Sequence, residues 1–351
     1  LLMKKNRVTV LQGEAVFTSS RTILVDDREY SAVSFIIATG AEPLVPSISG
    51  VELPHVLTSR EFLELETLPE TITVMGGGVI GMEIASLCHS LGVKVTVVEM
   101  ADSLFGGALP EFAEALKDEM TNCDFHLNTA VEEILEDRVL CRCEGNTIEI
   151  PCDVLLLSVG RKPHTESLNL KAAGVVTTKQ GIAVNERMQT SAPGVYAIGD
   201  VTGLSQYAHA ASRMAEVAVS NICGKSSWFE EDKLPWVVYT YPEAAGCGLD
   251  VQQAEREGFT PVSARYFFKN TARFFAEQGD TPGWVNLIAD RESRQILGVH
   301  MLGNGCSELI FGGALLVANE LTIDDLIHTV FPHPTVSEAL RECGILLKNK
   351  M

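Results

Sequence analysis

The stretch "FPHPTVSEAL", residues 331 to 340, sets His333 between two prolines and places Glu338 five residues later. An imidazole held by a carboxylate keeps one tautomer and gains basicity, which suits it to take a thiol proton near neutral pH. Such a base is worth about 10²–10⁴ in rate. Proline on each side narrows the backbone freedom of His333. A lone histidine is more often structural, so its chemistry depends on what else the chain carries.

A second group of residues could hold phosphate. Gly76, Gly78 and Gly81, with Gly77, Val79 and Ile80 between them, form G-x-G-x-x-G directly after "TITVM" and before an apolar-periodic segment. The first glycine permits a tight turn, the second a close backbone approach to a pyrophosphate, and the third close helix–strand packing. The helix start then offers unpaired N–H groups and a positive dipole end. A strand ending in Glu99 follows at the spacing of a dinucleotide fold. Glu99 would accept from ribose hydroxyls and repel a 2′-phosphate, and no arginine follows in "MADSLFGG", so the expected cofactor is NAD. Glu83, in the first turns of the helix, is explained equally by the helix dipole and by cofactor contact. A weaker signal is split along the sequence. "IIATGAEP" ends a strand at Thr39 and Gly40, and "GVYAIGD" ends one at Asp200, placed to bond a polyol.

The elements around these residues are legible in outline. Residues 71 to 100 read as strand, glycine turn, helix and strand, a βαβ unit. Short strands precede it, followed at 59–70 by a short helix. "PEFAEALKDEM" reads as an amphipathic helix, and residues 131–160 as strands closing on the apolar run Val154–Val159. "AHAASRMAEVAVSNIC" is a helix, and "SSWFEEDKLP" reads as a linker. Beyond it "WVVYTYP", "ARYFF", "GWVNLIAD" and "QILGVHML" read as strands of an antiparallel sheet, with helices at about 306–319 and 335–348.

The bulk numbers narrow the classes. The 351 residues are 46% hydrophobic and 21% charged, an ordinary folded composition. With 27 Lys plus Arg against 46 Asp plus Glu, the net charge of −19 argues against nucleic acid and for a basic protein partner. No apolar run is long enough for a membrane span. The nine cysteines are odd in number and scattered, with no CxxC pair, which fits packing in a reducing cytoplasm and no metal site.

"IIATGAEP", "MGGGVIGMEIA", "SVGRKPHT", "TSAPGVYAIGDV", "QYAHAA", "YTYPEAAGCGL" and "FPHPTVSEAL" occur in the order found in the FAD- and NAD(P)-dependent pyridine nucleotide–disulfide oxidoreductases. The chain resembles that family along essentially its whole length, and its dihydrolipoamide dehydrogenase branch most. The resemblance implies that Asp200 binds the flavin ribityl chain and that Thr39, Gly40 and the Gly13-Glu14-Ala15 turn flank FAD. It places Ala208 and His209 at a helix start facing the flavin, and Val131 and Gly160 along the NAD cleft. It makes His333 and Glu338 an acid–base dyad that reaches the flavin site of the other subunit of a homodimer. Electrons would pass from a small dithiol to a disulfide, to flavin and to NAD.

The chain departs from the family in one large respect. The family's first βαβ unit, with its own G-x-G-x-x-G, and its Cys-x4-Cys have no counterpart in these residues. The start "LLMKKNRV" does not open on Met. The expectation is therefore the C-terminal portion of a longer dehydrogenase, unable alone to turn over a dithiol; the alternatives are a non-catalytic nucleotide-binding dimer, or a related disulfide, mercuric or thiol reductase. "GRKPHT" also carries His164 where the family usually has Asn.

The expected fold is α/β with two nucleotide-binding, Rossmann-like domains, the FAD one incomplete, plus a C-terminal α+β dimerisation domain. Residues 1–52 and 162–232 would form the partial FAD domain, 53–161 the NAD domain and 233–351 the dimer interface. The acidic surface suggests a basic subunit-binding domain of a lipoyl-carrying complex as a further partner.

Overall fold

A computed structural model describes residues 1–351. The chain divides into two compact units, one of residues 1–42 and 161–231, the other of residues 43–160 and 232–351.

In the first unit, Ala15–Ser19, Thr22–Val25 and Arg28–Ser31 form an antiparallel meander. Phe35–Ile37 pairs in parallel with Val195–Ala197, so the strands leading to Thr39 and Asp200 end side by side. Phe17, Ile37, Ile182, Val195, Ala197 and Val201 are buried together beneath them. Helix Ala208–Ile222 follows. The segment read as a linker is anchored at Phe229, which is buried and donates its N–H to Glu186 O at 2.8 Å.

The second unit holds a parallel sheet of five strands in the order Val56–Thr58, Val154–Leu157, Thr71–Met75, Lys94–Val98, Cys123–His126. Helices bury one face and an antiparallel sheet the other, which is why "ITVM", "VTVV" and "VLLL" carry almost no polar residues. Helix Val79–Ser90 packs on it through Met82, Ala85 and Cys88, all fully buried. Strands Thr129–Ile134, Arg138–Cys143 and Asn146–Pro151 form an antiparallel sheet that covers Met75, Val98 and Leu157.

The C-terminal part of this unit is an antiparallel sheet in the order Trp236–Val238, Ala244–Gly248, Ile296–Leu302, Trp284–Asp290, Pro261–Phe267. Helices Cys306–Ala318 and Glu338–Lys348 cover one face, burying Val285, Leu287, Val299 and Met301. The mixed α/β class is thus as expected, and the details differ. Ala244–Gly248 is a full strand although its sequence, AAGCG, carries little strand propensity. Helices Val251–Arg256, Ala272–Gln278 and Ile323–His328 are additional. The last helix begins at Glu338, not 335, because Ser337 and Thr335 are engaged in a hydroxyl pair at 2.9 Å ahead of it.

Candidate functional site

The three glycines of the cradle have separate reasons. Gly76 has φ of +109°, and a Cβ there would lie 2.5 Å from Ser158 O. A Cβ on Gly81 would lie 2.2 Å from Gly76 O and 2.5 Å from Ser158 Oγ, so helix and strand can approach only without one. Gly78 has nothing within 4 Å of an added Cβ, although its φ of −78° is open to any residue. The middle glycine therefore keeps space free on the outer side of the turn. Gly78 is also the N-cap of helix Val79–Ser90, and no side chain caps that end. An uncapped helix start beside open space at Gly78 fits a dinucleotide pyrophosphate.

Glu99 does more than the sequence suggested. Its Oε2 accepts from Gly77 N–H at 2.6 Å and its Oε1 from Ala101 N–H at 2.7 Å. Each carboxylate oxygen retains acceptor capacity, so ribose contact is compatible with these bonds. Glu83 points elsewhere: its Oε1 accepts from Tyr239 N–H at 2.8 Å, and Ser86 Oγ accepts from Tyr241 N–H at 2.9 Å. Burial pushes the Glu83 carboxyl above its ordinary range. Val131, on strand Thr129–Ile134 of the antiparallel sheet, is buried against Met75 and Val98, while Gly160, with φ of +119°, follows strand Val154–Leu157 and accepts from Leu44 N–H at 3.0 Å.

In the first unit, Asp200 is the second residue of the turn Gly199–Thr202, which follows strand Val195–Ala197 after one residue. Arg161, which sequence reasoning did not single out, sits 3.5 Å from Asp200 Oδ2 through Nε and donates from Nη2 to Ala41 O. Its Nε is buried without a hydrogen-bond partner. Thr39 Oγ1 donates to His164 O at 2.7 Å, and Gly40, at φ +70°, has no atom near an added Cβ. A half-buried carboxylate, a guanidinium ion-paired with it and open backbone at Gly40 fit a polyol phosphate such as the flavin side chain. Ala208 and His209 are exposed at the start of their helix, with the His209 ring stacked on Tyr207 at 5.2 Å. Gly13, at φ +148°, lies against Asp26, and Ala15 opens the first strand, exposed.

The tail pair is formed. His333 Nδ1 lies 2.9 Å from Glu338 Oε1, and Thr335 N–H donates to Glu338 Oε2 at 2.9 Å. The Thr335 amide first, then the imidazole, hold the Glu338 carboxyl below its usual range. The His333 side chain is 72% exposed against 25% for Glu338, so the carboxylate anchors the ring and the ring faces outward. With Nδ1–H donating to the carboxylate, Nε2 is left as the acceptor.

No cluster of three metal-ligating side chains exists, and no helix is long and apolar enough to cross a membrane. All nine cysteines are free thiols; Cys88, Cys141 and Cys247 are pushed up to about 11 by burial and Cys343 to about 12. None pairs with His333.

Comparison with known proteins agrees with this geometry. Residues 1–215 match the pyridine nucleotide-disulphide oxidoreductase family, and residues 234–343 match the dimerisation domain of the same family. The dihydrolipoyl dehydrogenase of Thermus scotoductus is 36% identical over 98% of this chain and 76% of its own length. That of Chlamydia muridarum is 34% identical over the same shares. A mercuric reductase of Lysinibacillus sphaericus is 34% identical over 97% of this chain and 64% of its own length. Among solved structures, the Cu(II) complex of the HOCl-induced flavoprotein disulfide reductase RclA from Escherichia coli superposes with a TM-score of 0.88 at 27% identity, covering 99% of this chain and 81% of that one.

Proposed function

Because the chain belongs to the pyridine nucleotide-disulphide oxidoreductase family, whose members are FAD-dependent oxidoreductases that bind NAD(P), we propose that it acts in a dihydrolipoyl dehydrogenase: oxidation of dihydrolipoamide to lipoamide with reduction of NAD. The observation that carries this reading is the exposed His333 imidazole with Nδ1 held by Glu338. An outward Nε2 is placed to take a thiol proton from a partner surface, and Glu338 stabilises the imidazolium that forms. The residues read as the NAD domain are 53–161, with Gly76, Gly77, Gly78, Val79, Ile80 and Gly81 at the pyrophosphate and Glu99 at the ribose. Asp200, Thr39, Gly40, Ala208 and His209 would hold FAD, with 1–52 and 162–232 as its domain. FAD and NAD supply two-electron acceptor chemistry when bound; the chain's own groups bind, orient and move the proton.

Residues 233–351 would pair with a second copy. Phe311 and Leu315, one turn apart on helix Cys306–Ala318, are 69% and 46% exposed and support that pairing. The disulfide that His333 would serve is not within these 351 residues, which contain no Cys-x4-Cys spacing. The chain by itself is therefore expected to bind NADH without oxidising dihydrolipoamide.

The test is to purify the 351-residue chain, titrate it with NADH by calorimetry and assay dihydrolipoamide oxidation. NADH affinity in the micromolar range without turnover supports the reading. Absence of NADH binding, or any oxidation of dihydrolipoamide by the 351-residue chain alone, overturns it. Upstream coding sequence carrying Cys-x4-Cys would extend the reading to the complete enzyme.

A further inference from the structure

The segment that follows Glu99 does not leave the glycine turn. Leu104 is 1% exposed, and its Cδ2 lies 2.6 Å from where a Cβ on Gly77 would stand. Phe105 donates its N–H to Gly77 O at 2.9 Å. The Gly77 peptide is thus held twice, its N–H by Glu99 and its C=O by Phe105. To reach that carbonyl the chain makes a left-handed turn at Phe105 (φ 55°, ψ 24°) and Gly106 (φ 60°, ψ 25°), continued at Gly107 (φ 76°). Glycine takes this conformation freely; phenylalanine does not. The Phe105 ring packs on Phe112 of helix Pro110–Glu119 with centroids 5.0 Å apart, which holds the strained residue in place.

We propose that Leu104 and Phe105 form a strap that positions the Gly77 peptide, and through it the Glu99 carboxylate, and so determines which dinucleotide the cradle accepts. This inference rests on the reading of residues 76–99 as a dinucleotide site. With both ends of the Gly77 peptide fixed, Oε2 of Glu99 is pinned against the turn, and its negative charge stands where the adenosine ribose would lie. If Phe105 lets go of the carbonyl, the peptide is free to rotate, its N–H leaves Glu99, and the carboxylate swings toward solvent. Rejection of a ribose 2′-phosphate then weakens more than affinity for the pyrophosphate, which is gripped from Gly78 onward. Strap and cradle are separate contributors, one to selectivity and the other to affinity.

Two substitutions separate backbone from ring. Phe105→Asn and Phe105→Val both remove the Phe112 contact, but asparagine tolerates the left-handed region and a β-branched residue does not. NADH and NADPH affinities are measured by calorimetry on the 351-residue chain and both variants, with circular dichroism as a folding control. Expected is a preference for NADH in the parent, retained within about twofold by Phe105→Asn and reduced about tenfold by Phe105→Val, the equivalent of about 1.4 kcal/mol. A Phe105→Val chain that loses both nucleotides in equal proportion, or that keeps the parent's preference, overturns the strap. Should Phe105→Val fail to fold, Phe105→Thr replaces it and is judged by the same ratio. A parent chain that binds neither nucleotide refutes the dinucleotide reading itself, a distinct outcome from failure of the strap.

Discussion

Gly78 and Gly81 lie three residues apart in one motif, yet the structure assigns them different work, and alanine substitution should show it. At Gly81 an added methyl lands 2.2 Å from Gly76 O and 2.5 Å from Ser158 Oγ. One neighbour is backbone, and the other is a hydroxyl already bonded to Met75 O at 2.9 Å and Gly76 O at 3.0 Å. Neither can retreat without breaking the strand–helix junction, so Gly81→Ala should cost at least the ~1–3 kcal/mol of an overpacked core. At Gly78 the methyl meets nothing within 4 Å, and the backbone (φ −78°, ψ −176°) is ordinary extended chain. Folding should therefore tolerate Gly78→Ala, and the stiffer unfolded chain should stabilise it by ~0.4–1 kcal/mol. At ~2–4 °C per kcal/mol for a domain of this size, its Tm should rise by about 1–4 °C.

Nucleotide binding should move the other way. On the proposed reading, a methyl at Gly78 would occupy the space through which a dinucleotide pyrophosphate would reach the first N–H groups of helix Val79–Ser90. Loss of even two charge-assisted hydrogen bonds, at about 1.5–3 kcal/mol each, lowers NADH affinity by at least about a hundredfold. Scanning calorimetry gives the Tm and titration calorimetry the Kd. A Gly78→Ala chain with unchanged Tm and parental NADH affinity would refute the assignment of the open face to phosphate. A Gly78→Ala chain that unfolds early would refute the claim that the space is free.

Glu83 has its carboxyl raised by burial, so its folded form holds a proton that the unfolded chain has already released. Stability should fall as pH rises from about 4.5 through the folded pKa. Glu83→Gln, which can still accept from Tyr239 N–H, should therefore have a higher Tm than the parent at pH 7.5 and the same Tm at pH 4; a gap that does not change with pH would count against this. Cys223 is the one exposed thiol, Cys123 and Cys143 are half-buried, and burial holds the other six far above neutral, so a thiol reagent at pH 7.5 should label Cys223 first and the six buried thiols only after denaturation. Rapid labelling of any of those six in Cys223→Ser would show the core to be open. Phe311→Asp should convert a dimer into monomers by light scattering while leaving NADH affinity within about twofold, since it lies on the helix face away from the sheet; an unchanged mass would remove that helix from the interface.

What could be read from the sequence, and what could not, divides along a physical line. The βαβ unit was legible because its signals are local: two apolar runs, three glycines at fixed spacing and an acid closing the second strand. His333 and Glu338 were legible for the same reason, being five residues apart with Thr335 between them to donate to the same carboxylate. Strand Ala244–Gly248 was hidden by the packing that makes it central. A Cβ on Gly246 would stand 2.4 Å from the Trp236 ring and 2.6 Å from His300, so the stacked indole and imidazole to either side demand a residue without a side chain, and that demand erases the strand pattern. Arg161 was hidden by distance along the chain, since Asp200 lies thirty-nine residues away and meets it because Arg161–Pro163 pairs with Ala41–Pro43 while Val195–Ala197 returns beside Phe35–Ile37. Glu99 is the most instructive case. Its type and position announced a ribose acceptor, but nothing in the sequence says that Gly77 and Ala101 already claim both oxygens, because those donors are backbone and every residue has one. Residues that act through side chains at short range can be named from sequence; residues that act by holding a peptide group still require the fold.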